Sequence, residues 1–221
     1  MKVLVLGDSL SDGGWKRDSR QIGSAWPGAL DRLCSTHGIP FTPVVRAEGG
    51  SRSVDVLETF RSLEREIWGA VAVLAGANDL WRRWVPWGGQ DPVDEDDFRR
   101  NLRSVARLAR ECGVVSTWIL TPCMLHSDPD HPWNDEVRLY RGACREAASL
   151  EGATLVPVGE DFEAAVRSLP EVKWTYDGVH PRPIGHERIA WTVFHHALGG
   201  QSLPANEVPP RPEGISARTW P

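Results

Sequence analysis

Five short apolar runs punctuate this chain, and amphipathic stretches with helical spacing separate them. A strand that is buried on both faces of a sheet has such a continuous apolar sequence. Strands that alternate with helices form a parallel sheet with helices on both faces. We therefore predict an α/β fold, a three-layer α/β/α sandwich around a five-stranded parallel sheet. The predicted strands cover residues 2–6, 43–46, 69–75, 114–120 and 154–158.

The clearest helical patterns lie after residue 93. Apolar residues spaced three and four apart give each predicted helix one face that can pack on the core. Acidic residues or a proline at the start and a glycine after the end mark the boundaries. The three predicted helices run from residues 94–97 to Gly113, through 137–147 to Gly152, and over 184–198.

The last part of the chain differs from the rest. Residues 199–221 hold five prolines and show no apolar period. A chain of 221 residues is close to the size of a single domain. We predict one domain over residues 1–198 and a Pro-rich tail over residues 199–221, which is either disordered or extended across the domain.

Charge and hydropathy exclude some classes of partner. The chain has 30 acidic and 25 basic residues, and no basic stripe is available to neutralise the phosphates of a nucleic acid. No apolar run approaches the ~20 residues that span a bilayer, and the run after Lys2 is too short for a signal peptide. We expect a cytoplasmic protein with a small-molecule substrate that binds neither nucleic acid nor membranes. Its widely spaced cysteines are predicted to be buried, unpaired thiols: Cys34, Cys112, Cys123 and Cys144.

Polar residues follow several of the predicted strands. Ligands of open α/β sheets bind at the carboxyl ends of the strands. Residues 7–13 (GDSLSDG), 48–51 (EGGS) and 76–79 (GAND) follow the first three strands, and residues 177–181 (DGVHP) form a late turn. Each segment alone is explained equally well as a tight turn. Together they supply a serine nucleophile, a His–Asp pair and two further hydrogen-bond donors, which are the parts that acyl transfer needs.

We expect no cofactor and no metal ion. The segments lack the G-x-G-x-x-G and G-x-x-x-x-G-K-[ST] sequences that bind dinucleotides and nucleotide phosphates. A polar cluster of His126, Asp128, Asp130 and His131 lies in a proline-containing loop. Because the remaining histidines add no metal-ligand spacing to this cluster, we do not expect it to bind a metal.

These four segments, in this order and spacing, resemble the sequence blocks of the GDSL or SGNH hydrolases, and the resemblance covers the whole predicted domain. It implies the flavodoxin-like fold of that family and a serine esterase without a cofactor. It also implies that Ser9 attacks the ester carbonyl, that His180 is the general base and that Asp177 orients the His180 ring. The oxyanion would then be held by the Ser9 backbone N–H, the Gly50 N–H and the Asn78 side-chain amide.

The second block departs from the family pattern. Members often carry Asn a few residues before the glycine and Thr two residues after it, whereas these neighbourhoods here read RAE and SRS. We choose Gly50 over Gly49 because Leu57 and Phe60 then fall where the following helix is expected to have apolar positions. The G-x-S-x-G sequence of α/β-hydrolases is absent around Ser9, which disfavours that alternative.

A tryptophan-rich segment directly follows Asn78. Trp81 and Trp84 stand beside two arginines there, and they either form a substrate wall or pack a helix onto the core. Trp174, just before Asp177, is a third candidate for substrate binding. An aromatic pocket of this kind favours a short acyl group on a polar scaffold, such as an acetylated sugar. The alternatives are an acyltransferase that uses the same acyl-enzyme and a non-catalytic binding protein with this fold.

Overall fold

The predicted five-stranded parallel sheet is present in the computed structural model, which describes residues 1–64, 66–85, 91–124, 126 and 130–212. All strand pairs are parallel, and the strand order is β2-β1-β3-β4-β5. The chain therefore has the α/β fold expected from the sequence. The strands are β1 (Lys2–Gly7), β2 (Thr42–Ala47), β3 (Ala70–Leu74), β4 (Ser116–Leu120) and β5 (Thr154–Val156).

Helices cover both faces of this sheet. Helix α2 packs on α8, while α5 packs on both α3 and α6. A short 3₁₀ turn, Trp15–Arg17, lies between α1 and α2. The helices of the described residues are α1 (Ser9–Asp12), α2 (Trp26–Thr36), α3 (Ser53–Ser62), α4 (Ala77–Trp84), α5 (Glu95–Glu111), α6 (Pro132–Glu151), α7 (Val158–Ser168) and α8 (Pro183–Leu198).

The centre of the sheet explains why the strand pattern was readable. All five residues of β3 are buried, and so are all residues of β1 after Lys2. Both strands lie inside the sheet with layers on each face, so every position can take an apolar residue. The edge strand β2 instead alternates between buried and half-buried residues, which is the pattern of a strand with only one face in the core.

Two predicted strand boundaries are wrong by two residues, and both of these errors lie at junctions with helices; the other differences are of one residue. The predicted fifth strand extends to Val158, but β5 ends at Val156 and Val158 begins α7. Pro157 separates them, since proline has no N–H with which to continue a ladder. The predicted fourth strand begins at Val114, whose N–H instead bonds to the Ala109 carbonyl at the end of α5. Of the four cysteines, Cys112 is half-buried rather than buried, and all four are free thiols.

The part of the Pro-rich tail that the structure describes lies against the last helix. The buried Arg188 side chain on α8 donates hydrogen bonds to the carbonyls of Leu203, Pro204 and Glu207. Residues 213–221, together with Trp87 and Asp128, lie outside the described residues. Among the helices that are described, none is long and apolar enough to cross a membrane.

Candidate active site

Ser9 lies beyond the carboxyl end of β1, an inner strand of the sheet, at the first position of α1. Asp8 caps this helix, because its Oδ1 accepts a hydrogen bond from the Leu10 N–H at 3.0 Å. Gly7 allows the sharp exit from the strand: a Cβ at this position would lie 2.6 Å from the Leu74 carbonyl oxygen. Gly7 and Asp8, which precede Ser9 in the sequence, thus position it at the carboxyl end of the sheet.

The loop after β2 lies directly beside Ser9. A Cβ on Gly49 would be 3.8 Å from the Ser9 Cβ, and the Gly49 N–H donates to Asp12 Oδ2 at 3.3 Å. Gly50 has a φ of +87°, a left-handed conformation that favours glycine. Its carbonyl accepts a hydrogen bond from the Arg82 guanidinium at 3.2 Å. Gly49 therefore lies close to Ser9, and the next residue, Gly50, is held by a hydrogen bond from a side chain of α4.

Asn78 on α4 connects the ends of three strands. Its Nδ2 donates to the Ser51 carbonyl at 3.0 Å and to Asp8 Oδ2 at 3.3 Å. Ser51 belongs to the loop after β2, Asp8 follows β1, and Asn78 itself follows β3. The sheet order β2-β1-β3 brings these ends together, so the first three predicted segments form one cluster.

Two buried carboxylates, Asp8 and Asp79, lie next to this cluster, and neither was predicted from the sequence as a site residue. Burial, together with the nearby charge of Asp79, raises the pKa of Asp8 to about 7, although the bonds from Leu10 and Asn78 favour its ionised form. Burial likewise raises the pKa of Asp79 to about 6. Asp79 accepts hydrogen bonds from the Ser53 N–H and hydroxyl. Both aspartates neighbour a predicted site residue in the sequence, and this adjacency was the only available signal.

The Asp177–His180 pair lies on a separate turn before α8. The turn is closed by a bridge between Thr175 and Pro181. Asp177 Oδ2 lies 2.7 Å from His180 Nδ1, and its Oδ1 accepts the backbone N–H groups of His180 and Val179 at 2.7 and 3.0 Å. Burial alone would raise the pKa of Asp177, but these hydrogen bonds outweigh it and lower that pKa. The carboxylate therefore stays ionised against the imidazole.

The two halves of the candidate site are close but not hydrogen-bonded to one another. His180 is near enough for its charge to lower the pKa of Asp8, the residue before Ser9. No hydrogen bond joins the Ser9 hydroxyl to His180 among the described residues. Such bonds are often long in an enzyme without substrate and tighten when substrate binds.

An aromatic cavity of about 640 Å³ adjoins the Asp177 turn. Trp81, Trp84 and Trp133 line it together with Asp177. Trp81 meets Trp133 edge to face with ring centroids 5.3 Å apart, and Trp84 lies 5.2 Å from the His131 ring. Trp81 and Trp84 thus line a cavity that Asp177 also lines, and their role in substrate binding stays a prediction.

Trp174, the third aromatic residue predicted to bind substrate, lies elsewhere. It is only 3% exposed, and its Nε1 donates to the Leu169 carbonyl at 3.3 Å. It lines a second cavity next to the first one. Trp174 and Asp177 thus line different cavities, and the role of Trp174 in substrate binding stays a prediction.

Comparison with known sequences gives a clear assignment. The sequence profile of the GDSL-like lipase/acylhydrolase family matches residues 5–188, a span that contains Ser9, Asn78 and His180. The chain belongs to this family. As a GDSL-like acylhydrolase it is a carboxylic ester hydrolase.

Relatives of this GDSL-like hydrolase agree with the fold. An acetylxylan esterase from Geobacillus stearothermophilus is 25% identical over 203 residues, which cover 86% of this chain and 90% of that protein. The structure of a catalytic mutant of an acetylxylan esterase from the same organism has a TM-score of 0.80 at 20% identity, covering 88% and 93% of the two chains. An α/β hydrolase from the metagenome of Lake Arreo, Spain, has a TM-score of 0.77 at 22% identity, with 88% and 94% covered.

Proposed function

We propose that this hydrolase removes acetyl groups from carbohydrates through an acyl-enzyme on Ser9. The observation that supports the proposal is the hydrogen-bonded Asp177–His180 pair: the His180 charge acts on Asp8, next to Ser9, and Asp177 lines the aromatic cavity. The acetylxylan esterase relative supports the choice of acetyl esters of sugars.

Proton transfer in this proposal runs through the His180 ring. Because Nδ1 faces the Asp177 carboxylate at 2.7 Å, Nδ1 carries the proton and Nε2 is the free base. Nε2 accepts the Ser9 hydroxyl proton as Oγ bonds to the ester carbonyl carbon. The same proton then passes to the leaving alcohol oxygen as the C–O bond breaks. Water repeats these steps on the acyl-enzyme and releases the acid.

Negative charge on the carbonyl oxygen would be stabilised by the Ser9 and Gly50 N–H groups and by the Asn78 amide. Both hydrogens of Asn78 Nδ2 are engaged in this structure, one at 3.0 Å with Ser51 and one at 3.3 Å with Asp8. The longer bond is the weaker one. We infer that the oxyanion takes over this donor, and that Asp8 is left protonated or solvated when it does.

The alcohol part of the substrate would lie on the His180 side of Ser9, since His180 must protonate the leaving oxygen. The aromatic cavity is on this side, because residues 175–179 of the same turn line it. Tryptophan rings provide flat apolar faces on which sugar rings stack. The half-exposed Trp84 and the partly buried Trp81 are the rings that we propose to contact the sugar.

The proposal is tested by ester hydrolysis with wild type and Ser9→Ala. We expect rates on p-nitrophenyl esters to fall from acetate through butyrate to octanoate, and acetate to be released from acetylated xylo-oligosaccharides. Ser9→Ala should lose about 10⁴-fold or more in kcat on every ester, while Ser19→Ala, at an exposed position, should match wild type. Rates that rise toward octanoate, or full activity in Ser9→Ala, would overturn the proposal.

A further inference from the structure

Arg82 is a buried cation that the proposed mechanism does not use. It lies on α4, four residues after Asn78, so that both side chains project from the same face of the helix. Arg82 is only 4% exposed, and burial of a guanidinium group costs free energy unless hydrogen bonds and opposite charges compensate for it. Burial and the nearby charge of Arg52 lower the pKa of Arg82, whereas Asp55 and Asp79 favour its charged form. Because an arginine stays protonated in proteins, a charged donor lies inside this part of the fold.

Arg82 and Asn78 hold two successive carbonyls of the loop after β2. Arg82 Nη2 donates to the Gly50 carbonyl at 3.2 Å, and Asn78 Nδ2 donates to the Ser51 carbonyl at 3.0 Å. Both bonds run from side chains of one helix to one short loop. They therefore fix the loop and α4 relative to one another.

The backbone N–H of Gly50 differs from those of its two neighbours. The Gly49 N–H donates to Asp12 Oδ2 at 3.3 Å, and the Ser51 N–H donates to the Glu48 carbonyl at 3.1 Å. In the part of the chain that the structure describes, the Gly50 N–H donates to no acceptor. Of these three donors, the loop thus leaves to a ligand the one that the proposed mechanism assigns to the oxyanion.

The direction of the Gly50 N–H depends on contacts on both sides of this residue. Gly50 has a φ of +87°, and glycine adopts positive and negative φ about equally readily. The N–H and the carbonyl of one residue belong to two rigid peptide groups that rotate about its Cα. Asp12 holds the chain before this Cα, through Gly49, and Arg82 holds the chain after it. Loss of the Arg82 bond would therefore free one of the two peptide groups.

We propose that Arg82 is a positioning residue for the oxyanion: its hydrogen bond to the Gly50 carbonyl directs the Gly50 N–H at the oxygen that becomes negative. This inference rests on the proposed function, in which Ser9 attacks the ester and Gly50 and Asn78 donate to the oxyanion. Donors stabilise a developing charge best when they are already in place, because the site then need not reorganise during the reaction. A displacement of about 1 Å can cost about 100-fold in rate. Loss of the Arg82 bond should therefore slow the chemical step and leave substrate binding almost unchanged.

The test compares two substitutions of Arg82 that both keep a long unbranched side chain. Arg82→Met has no hydrogen-bond donor, whereas Arg82→Lys keeps a charged donor. Arg100→Met makes the first change at an exposed arginine of α5. The amount of folded enzyme is counted by labelling Ser9 to completion with a fluorophosphonate, and kcat with p-nitrophenyl acetate is expressed per labelled site. A variant that folds poorly then loses labelled sites rather than kcat.

An oxyanion mimic separates positioning from a purely structural role. In the proposed mechanism, Ser9 Oγ adds to the carbonyl carbon of 1,1,1-trifluoroacetone, the hydroxyl proton passes to His180 Nε2, and the ketone oxygen becomes an anion. Inhibition by this ketone therefore depends on the oxyanion donors, as binding of a transition-state analogue does. The KM of p-nitrophenyl acetate does not depend on them in this way, because the oxygen of the bound ester is still uncharged.

Arg82→Met should lower kcat by about 10- to 100-fold, with KM within about twofold of wild type, and should weaken inhibition by trifluoroacetone by a similar factor. Arg82→Lys should recover most of both values, and Arg100→Met should match wild type. Equal kcat in the two Arg82 variants, or a loss of kcat with unchanged inhibition, would overturn the positioning role alone. Asn78→Ala is measured alongside. If neither its kcat nor its inhibition constant changes, the oxyanion site of the proposed function is wrong, and the role of Arg82 fails with it.

Discussion

The two halves of the candidate site are built in opposite ways. The Ser9 half rests on the buried carboxylates Asp8 and Asp79, and the bonds of Asn78 tie three strand ends into one unit. The His180 half is a single turn in which both the Asp177 and His180 side chains are about half exposed. Its hydrogen bonds run almost entirely between residues of the turn itself.

This contrast separates stability from catalysis. A buried polar group that loses its partner costs the full desolvation of that group, so changes in the Ser9 half should alter both folding and rate. An exposed ion pair contributes little to the free energy of unfolding, so changes in the His180 half should alter the rate alone. The nucleophile needs an immobile support, whereas the base needs access to the alcohol that it protonates.

The largest effect is expected from Asp177→Asn. The amide would hold the His180 ring in the wrong tautomer, and kcat should fall by about 10³- to 10⁴-fold. Because the side chain is exposed, the midpoint of thermal unfolding should stay within about 2 °C of wild type. Kinetics with p-nitrophenyl acetate measure kcat, and calorimetry measures the midpoint of thermal unfolding. Asp96→Asn, at an exposed position, is the control. A large loss of stability would show that the turn is not independent of the core.

Asn78→Ala should reduce both quantities. Loss of one oxyanion donor typically costs about 100- to 1,000-fold in kcat, and Asp8 and the Ser51 carbonyl would lose their shared partner. We expect a fall in kcat of this size together with a lower midpoint of unfolding in urea. Asn206→Ala, at an exposed position of the tail, is the control. An unchanged urea midpoint would contradict the proposal that the hydrogen bonds of Asn78 to Asp8 and Ser51 stabilise the fold.

A smaller effect is expected from the ionisation of Asp8, which makes stability depend on pH. Its pKa is raised from 3.8 to about 7, so ionisation destabilises the folded state progressively as pH rises from about 4 through 7. Asp8→Asn removes this term. The free energy of unfolding of Asp8→Asn should therefore increase relative to that of wild type from pH 5 to pH 8, by an amount on the order of a few kcal/mol. The variant becomes the more stable of the two as pH rises.

Urea unfolding of both proteins at several pH values measures this difference. His186 has a pKa lowered to about 4 by burial, so it destabilises the fold at low pH, but it does so equally in wild type and Asp8→Asn and cancels in the difference. A difference that does not change with pH would mean that Asp8 has the same pKa in the folded and the unfolded chain, and would contradict the effect of burial on this carboxylate.

The sequence allowed all five strands to be predicted, because buried parallel strands are apolar throughout. Three helices were not predicted: the short α1, whose segment was interpreted as a turn, and the longer α2 and α7. Helix α2 begins with Trp26, Pro27 and Gly28 and has no side-chain cap, and glycine and proline are weak helix formers. Helix α7 follows β5 after a single residue, Pro157, so its apolar start was assigned to the strand.

The candidate site was predictable where residue type and motif coincide, as for Ser9, Asn78, Asp177 and His180, whose roles stay predictions. Asp8 and Asp79 were not recognised because aspartate at a turn usually faces water, and only the sheet order shows that both are buried. Trp174 lines a different cavity from Trp81 and Trp84, and its role in substrate binding stays a prediction. A turn of a few residues can direct neighbouring side chains to opposite sides, and this direction depends on packing against α7.

In the mechanism that we propose, His180 on its exposed turn activates the nucleophile Ser9 in the other half of the site. The most direct measurement is the rate at which a fluorophosphonate labels wild type and His180→Ala, with the labelled residue located by mass spectrometry. The account predicts a label on Ser9 in wild type and labelling at least 100-fold slower in His180→Ala. Equal labelling rates in the two proteins, or a label on another residue, would contradict it.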